Sequence, residues 1–258
     1  MRYTQEQAAI LHIEEIAPGV YNTVLSAKTI ASAASAGQFV QVLCEPYQLR
    51  RPISIAGFDP ALGILRLIFE VRGKGTAWLA QRQKGDSLDL IGPLGHGFPL
   101  TDASKKAVLV GGGIGTPPLL PPAQFHGANA TVITGFRTAS AAILQADFAA
   151  SGAKTILCTD DGSAGFHGFT TEALEQRLSE GDVGVVYTCG PKVMMKGVAK
   201  LAEEAGAVCY VSMEERMGCG VGACLGCTCK TKNEQGGTQM TRVCLNGPVF
   251  RSTEVDWT

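Results

Sequence analysis

The chain has 258 residues, with 22 Lys and Arg against 23 Asp and Glu, a net charge of −1, and 45% hydrophobic residues. That length suits two domains and a small appendage, and the near-neutral balance offers no electrostatic attraction to nucleic acid or to an anionic membrane surface. No uninterrupted apolar run is long enough to span a bilayer. The small-residue stretch Ala31 to Gly37 follows Glu14, Glu15 and Pro18 rather than a long apolar core, so it does not make a signal peptide. Nine cysteines, four of them crowded between Cys219 and Cys229, suit a metal centre in a reducing compartment better than a disulfide framework. These features predict a soluble cytoplasmic protein.

Up to about Leu100 the chain reads as short apolar or alternating runs separated by turn residues. The runs are Ala8–Ile16, Val20–Leu25, Gln38–Leu43, Ile53–Ala56 and Ile64–Val71, with breaks at Pro18-Gly19, Gly37, Pro46 and Asp59-Pro60. Such spacing predicts an antiparallel barrel or sandwich, with one helix over 75–83. After Leu100 the rhythm becomes apolar strand, glycine-rich turn, helix. Strands are expected at Ala107–Val110, Thr131–Thr134, Thr155–Cys158, Val183–Thr188 and Val208–Val211, and helices at Ser140–Ala150, Thr170–Leu178 and Pro191–Ala205. This alternation predicts a parallel sheet flanked by helices. From about Ser212 periodicity ends in a cysteine loop and a closing Val243–Phe250 segment. The expected domains are 1–100, 101–211 and 212–258.

Gly111-Gly112-Gly113-Ile114-Gly115 follows directly on the strand that opens the second domain. A strand entering such a turn lets a pyrophosphate approach backbone N–H groups, although glycines there also serve tight packing. Pro121 and Pro122 remove donors and are expected to break the following helix early, leaving it short or irregular. Thr159-Asp160-Asp161-Gly162-Ser163 and Cys189-Gly190-Pro191 end two further strands, and three such ends outline one cleft. In the first domain, Arg51-Pro52-Ile53-Ser54 combines a guanidinium able to pair with a diphosphate, a rigid proline and a hydroxyl. Gly73-Lys74-Gly75-Thr76 adds a second diphosphate candidate at a helix start.

The most specific pattern is Cys219-x4-Cys224-x2-Cys227 followed by Cys244, the spacing of the ligands of a plant-type [2Fe-2S] cluster. Gly218, Gly220, Gly222 and Gly226 let the backbone curl and turn N–H groups toward sulfur. A structural zinc site is the alternative, but it usually brings two Cys-x2-Cys pairs. Cys229 reads as a neighbour of the ligands and not as one of them.

Taken in order, Arg51 to Ser54, Gly75-Thr76, Gly111 to Gly115, Cys189-Gly-Pro191 and the four cysteines resemble the ferredoxin reductase superfamily. More closely, with Pro93-Leu94-Gly95-His96-Gly97-Phe98 and Asn246-Gly247-Pro248-Val249-Phe250, the whole chain is similar to the electron-transfer subunits of class B dihydroorotate dehydrogenases. The resemblance implies an FAD-binding β-barrel, an NAD-binding α/β domain and a small C-terminal [2Fe-2S] domain. It implies that Arg51, Pro52, Ile53 and Ser54 hold FAD at its diphosphate and ring, that Ile68, Phe69 and Glu70 line the flavin, and that Gly75 and Thr76 contact its phosphates. By the same likeness Gly111, Gly113, Gly115, Cys189 and Gly190 shape the NAD site, and Cys219, Cys224, Cys227 and Cys244 bind the cluster. NAD is preferred over NADP by this likeness alone, since Arg137 is available to a 2′-phosphate. The implied partner is an FMN-containing dihydroorotate dehydrogenase catalytic subunit in a two-plus-two heterotetramer, feeding electrons through the cluster and FAD to NAD+ for pyrimidine biosynthesis. The rival readings are the FAD and [2Fe-2S] small subunit of an NADPH-dependent ferredoxin or sulfide reductase, and a nucleotide-sensing module with structural zinc.

Overall fold

The alternating runs of the first hundred residues close on themselves. In the computed structural model, which describes residues 3–233 and 235–258, the strands β1 (Thr4–Ala17), β2 (Val20–Ser26), β3 (Phe39–Val42), β4 (Arg51–Asp59), β5 (Ile64–Glu70) and β6 (Ser87–Leu94) form a closed barrel in the order β1-β2-β5-β4-β3-β6. All neighbours are antiparallel. Closure leaves no free edge, and it turns one residue in two of each strand into the interior. Ile10, Leu25, Val40, Ile55, Leu67 and Leu90 fill that interior at 1% exposure or less.

Two helices complete the barrel. The helix α1 (Lys28–Ala33) buries Ile30 and Ala31. Its first-turn N–H groups of Thr29 and Ile30 donate to the Glu6 carboxylate at 3.1 and 2.9 Å. A cap supplied from more than twenty residues upstream leaves no local signal, so the pattern around Lys28 does not predict this helix. The helix α2 (Lys74–Ala80) begins one residue before the expected 75–83 and stops three residues earlier.

The second unit is a seven-stranded sheet. Its strands are β7 (Ala107–Gly112), β8 (Ala130–Phe136), β9 (Lys154–Thr159), the short β10 (Phe166–His167), β11 (Val185–Cys189), β12 (Val208–Ser212) and the closing β15 (Val249–Arg251), in the order β10-β9-β8-β7-β11-β12-β15. All pairs are parallel except β12 with β15. The helices are α3 (Leu120–His126), α4 (Gln145–Ala150), α5 (Thr170–Ser179) and α6 (Lys192–Glu204). Gly206, at φ +73, stops α6 as expected.

Two helices differ from the sequence expectation. The 140–150 helix is split: a 3₁₀ turn covers Ala139–Ala141, and α4 begins only after Leu144, which sits in the left-handed region at φ 62. Pro121 and Pro122 do not break α3. They stand in its first turn, where a missing N–H leaves no bond unmade. The approach to α3 is irregular, through 3₁₀ turns at Gly113–Gly115 and Pro117–Leu119.

The last 45 residues belong to both units. Glu214–Cys229 and Thr241–Pro248 cluster with the barrel, whereas Lys230–Met240 and Val249–Thr258 cluster with the sheet. Within this segment β13 (Thr228–Lys232) pairs with β14 (Thr238–Arg242), and the one-turn helix α7 (Val243–Asn246) follows. Among the described residues no helix is long and apolar enough to cross a membrane.

At the end of α3, His126 is buried with Nδ1 donating to the Lys105 carbonyl at 3.1 Å and Nε2 without a partner. Burial lowers its pKa below the ordinary 6.5, against the opposing pull of the Lys105 and Ala103 backbone and the Asp102 charge. The unfolded chain therefore takes up the proton first as pH falls. Stability is expected to be fully present above about 6.5 and to decline below it; denaturant titrations at several pH values check this, with the slope reduced in His126→Gln.

Candidate functional site

Three groups of residues singled out in the sequence are each assembled within their own unit, two in the barrel unit and one in the sheet unit. In the barrel, Arg51 starts β4 and Gly75 lies in the first turn of α2. The Arg51 guanidinium rests on Gly75 so closely that a Cβ there would stand 2.5 Å from Nε and 2.8 Å from Cζ. Arg51 Nη1 is fixed by donation to the Leu49 carbonyl at 2.6 Å. Thr76 Oγ1 accepts from the N–H groups of Arg72 and Gly73 at 2.9 and 3.2 Å, while Arg72 pairs with Glu70 at 2.6 Å. A cation, a helix start and a hydroxyl-braced turn thus meet on one rim.

Strand alternation sorts the rest of this group. Ile53, Ile55, Leu67 and Phe69 belong to the barrel core, so Pro52, Ser54, Ile68 and Glu70 lie on the outer face of the adjacent strands β4 and β5. The side chains of Ile53 and Phe69 are spent on packing, Phe69 stacking on Tyr21 at 5.7 Å. These two residues offer a ligand only their backbone.

The second group lies at the carboxyl ends of β7 and β11. The chain runs outward from β7 through β8 and β9, then returns to place β11 on the opposite side of β7. Their junction is the topological switch point, where ligands of open parallel sheets bind. Gly111 pairs with Cys189 in register. A Cβ on Gly115 would lie 2.6 Å from the Cys189 carbonyl carbon and oxygen and from Gly190 Cα, so the turn and the strand end touch backbone to backbone. Gly113, at φ +52, faces open space. Cys189 is 2% exposed. The Asp161 turn after β9 closes on itself, its carboxylate accepting from Ser163 N and Oγ at 2.9 and 2.6 Å.

The third group is the cysteine loop, within the barrel unit. Cys224 N–H donates to Cys219 Sγ at 3.3 Å, and Cys244 N–H donates to Cys227 Sγ at 3.4 Å. Cys244 arrives there because Val243 N–H bonds the Cys227 carbonyl at 2.8 Å as α7 begins. Arg242 Nη1 donates to the Gly222 carbonyl and ties β14 to the loop. The family-like phrases around His96 and Gly247, far apart in sequence, also meet in this unit: His96 N–H donates to the Gly247 carbonyl at 2.6 Å, beside a bridge from His96 to Pro248. Cys229 is buried in β13.

The loop treats its thiols differently from the rest of the chain. Burial pushes Cys44 and Cys158 up to about 11 and Cys209 up to about 12. Burial also acts against the Cys219 thiolate, but the N–H groups of Cys224, Val221 and Ala223 and the Cys224 side chain outweigh it and bring the thiol down to about 7. Cys244 is pushed up to about 12 by burial and then by the neighbouring Cys227 and Cys219. Cys219, Cys224, Cys227 and Cys244, linked in pairs by N–H groups directed at sulfur, are a donor set suited to an iron–sulfur cluster. Among the described residues no three His, Cys, Asp or Glu side chains are grouped so as to hold a single metal ion, and the fit to a cluster is carried by these backbone donors and pairwise thiol contacts.

Residues 214–256 match the family model for the iron-sulfur cluster binding domain of dihydroorotate dehydrogenase B. The chain is 42% identical over 260 residues to the dihydroorotate dehydrogenase B (NAD(+)) electron transfer subunit of Geobacillus thermodenitrificans, covering 97% of this chain and 98% of the relative. The corresponding subunit of Desulforamulus reducens is 39% identical over 257 residues, with 97% of each covered. The chain belongs to the family of dihydroorotate dehydrogenase B electron transfer subunits. Among solved structures, a chain of the NADH-dependent reduced ferredoxin-NADP oxidoreductase superposes with a TM-score of 0.87 at 29% identity, covering 98% of this chain and 90% of that one. A ferredoxin NADP+ reductase from Neisseria gonorrhoeae, at 18% identity and a TM-score of 0.63 over 84% of this chain and 95% of that one, shares the fold.

Sequence reasoning misses Gln41, Arg242 and Met194. Met194 packs against Gly112 and Gly190, and nothing in an amphipathic helix marks one methionine for that task. Gln41 has a signal: it is the one polar residue of the wholly buried strand Phe39-Val40-Gln41-Val42.

Two glycines beside β11, Gly115 and Gly184, separate close approach from mere flexibility. Gly115→Ala is expected to lower the stability of the sheet unit by about 1–3 kcal/mol through overpacking. Gly184→Ala meets only Lys105 and Lys106 atoms at 3.8 Å, and is expected to change stability by less than about 0.5 kcal/mol. Equilibrium denaturation of the two variants checks the contrast.

Proposed function

We propose that this chain is the NAD-reducing electron-transfer subunit of a dihydroorotate dehydrogenase, taking electrons from an FMN-containing catalytic partner and delivering them to NAD+ in cytoplasmic pyrimidine biosynthesis. The observation that carries the reading is the cysteine loop, completed by Cys244 and lodged in the same unit as the Arg51–Gly75 rim. When bound, FAD and a [2Fe-2S] cluster supply the conversion between single electrons and a hydride that joins such a partner to nicotinamide.

The residues have separable tasks. Arg51 holds the FAD diphosphate beside the first turn of α2, with Gly75 admitting it and Thr76 bracing the turn. Ser54 and Glu70 face the isoalloxazine from the outer wall, and Ile68 keeps water from it. Gly111, Gly113 and Gly115 let the dinucleotide approach backbone N–H groups at the switch point. Gly190 keeps the approach beside Cys189 free of a side chain. Cys219, Cys224, Cys227 and Cys244 hold the cluster. No side chain is required to move a proton at a reacting atom, so no catalytic acid or base is assigned.

Leu225 stands between two of the cluster cysteines and is 74% exposed. An apolar side chain held out beside an electron entry point suits docking against the catalytic subunit, in a complex of two copies of each. The ferredoxin-NADP reading is favoured by the 0.87 superposition, but the identity to the dihydroorotate dehydrogenase subunits is higher.

Anaerobically purified protein should be coloured, with FAD, two irons and two acid-labile sulfides per chain. Co-purified with the FMN subunit, it should reduce NAD+ when given dihydroorotate. A colourless, zinc-containing, flavin-free protein sinks the redox reading, and persistent inactivity with a competent partner favours the ferredoxin-NADP one. Arg51→Ala is expected to weaken FAD binding roughly 10- to 100-fold, the loss of about 1.5–3 kcal/mol from a charged hydrogen bond, while iron content is retained; fluorescence titration of the deflavinated protein measures it. Leu225→Asp is expected to reduce association with the partner without changing either cofactor content, as read by analytical ultracentrifugation.

A further inference from the structure

One buried polar side chain has no task in this account. All four residues of β3 are buried, and Gln41, at 0% exposure, is its only polar one. Val40 and Val42 belong to the barrel core, so the alternation of the strand sets Gln41 on the outer wall. There the cysteine loop covers it. A Cβ on Gly220 would lie 2.2 Å from Gln41 Nε2 and 2.6 Å from its Cγ, and Gly220 follows Cys219 directly, at φ +72. Among the described residues the carboxamide's hydrogen-bond partner is a thioether, with Nε2 3.8 Å from Met217 Sδ, while Oε1 is buried without a partner. On its other side β3 pairs Gln41 with Pro52, inside the Arg51–Ser54 segment.

An amide removed from water with its hydrogen bonds nearly unmade is unfavourable, and a methionine or leucine would fill the same space without that loss. Its position next to a cluster cysteine supplies the compensation, because N–H donors to cluster sulfur stabilise the more negative, reduced state and raise the potential. We propose that Gln41 is a positioning residue for the cluster: its carboxamide seats Gly220 and thereby Cys219, and its N–H is directed to the sulfur side of the loop, where it raises the reduction potential. This rests on the cluster reading above.

The test uses the full chain, purified anaerobically with its cofactors. Iron, sulfide and the electron paramagnetic resonance of the reduced wild type come first; absence of a cluster there defeats the cluster reading and this proposal with it. With the cluster present, protein grown on side-chain-amide ¹⁵N-glutamine is expected to give a ¹⁵N coupling to the reduced centre by pulsed resonance, and Gln41→Met to abolish it. In redox titrations Gln41→Met and Gln41→Glu, one apolar and one isosteric but unable to donate when ionised, are both expected to have lower midpoint potentials than the wild type. Loss of iron with FAD retained in either variant supports the seating role. If neither variant folds, the coupling in the wild type decides alone. No coupling in the wild type, or variants with full clusters and unchanged g values and potentials, overturns the proposal.

Discussion

The molecule depends on backbone approaching closer than a side chain permits. At Gly115 the turn after β7 lies against the Cys189 carbonyl, at Gly75 the helix start lies under the Arg51 guanidinium, and at Gly220 the cysteine loop lies on Gln41. Each approach sets N–H groups or a cation within one of the candidate site segments. A Cβ at any of them would occupy that space, whatever the local backbone angle. The consequence at the cysteine loop is electrostatic. Thiolates gathered on one short segment repel, and the chain answers with peptide N–H groups instead of lysine or arginine charges: Cys219 alone has three backbone donors acting on it. The arginine at this loop, Arg242, binds the Gly222 carbonyl and so acts on the loop's shape.

What the sequence makes legible follows from how local each determinant is. The barrel strands and the parallel sheet announce themselves through period-two alternation and through the strand, glycine turn, helix rhythm, both written within a dozen residues. The cysteine spacing is equally local for three of the ligands. Cys244 comes into place through a bond from Val243 to Cys227, which no spacing rule states. The helix α1 escapes notice because its cap is Glu6, and α4 shrinks because Leu144 adopts a left-handed conformation that a leucine rarely takes. Pro121 and Pro122 mark a short helix with an irregular approach, as expected, but they act as starters and not as breakers, because the 3₁₀ turns before Leu120 place them in the first turn.

Of the candidate site residues, the sequence identifies positions better than it identifies roles. Ile53 and Phe69 fall in the right strands, yet the pleat turns their side chains into the core, leaving Pro52, Ser54, Ile68 and Glu70 on the outer face. A one-residue difference in register decides between structure and ligand contact, and register is fixed only when β4 pairs Ile55 with Leu67 of β5.

The partition of the last 45 residues explains why the cluster cysteines follow the sheet in sequence and yet belong to the barrel unit in space. One-electron transfer between resident cofactors depends steeply on separation and benefits from both being held by one packed body. Hydride transfer to a nicotinamide is a contact reaction with a molecule that must enter and leave, and the glycine-lined switch point proposed to receive it belongs to the other unit. The chain meets both demands by passing twice: it builds the sheet, returns to the barrel with Glu214–Cys229, and returns again with Thr241–Pro248, where the bond from His96 to Gly247 anchors the segment carrying Cys244. The C-terminal segment is shared between the units: Cys219 to Cys229 and Cys244 lie with the barrel, and its closing strand, β15, completes the sheet.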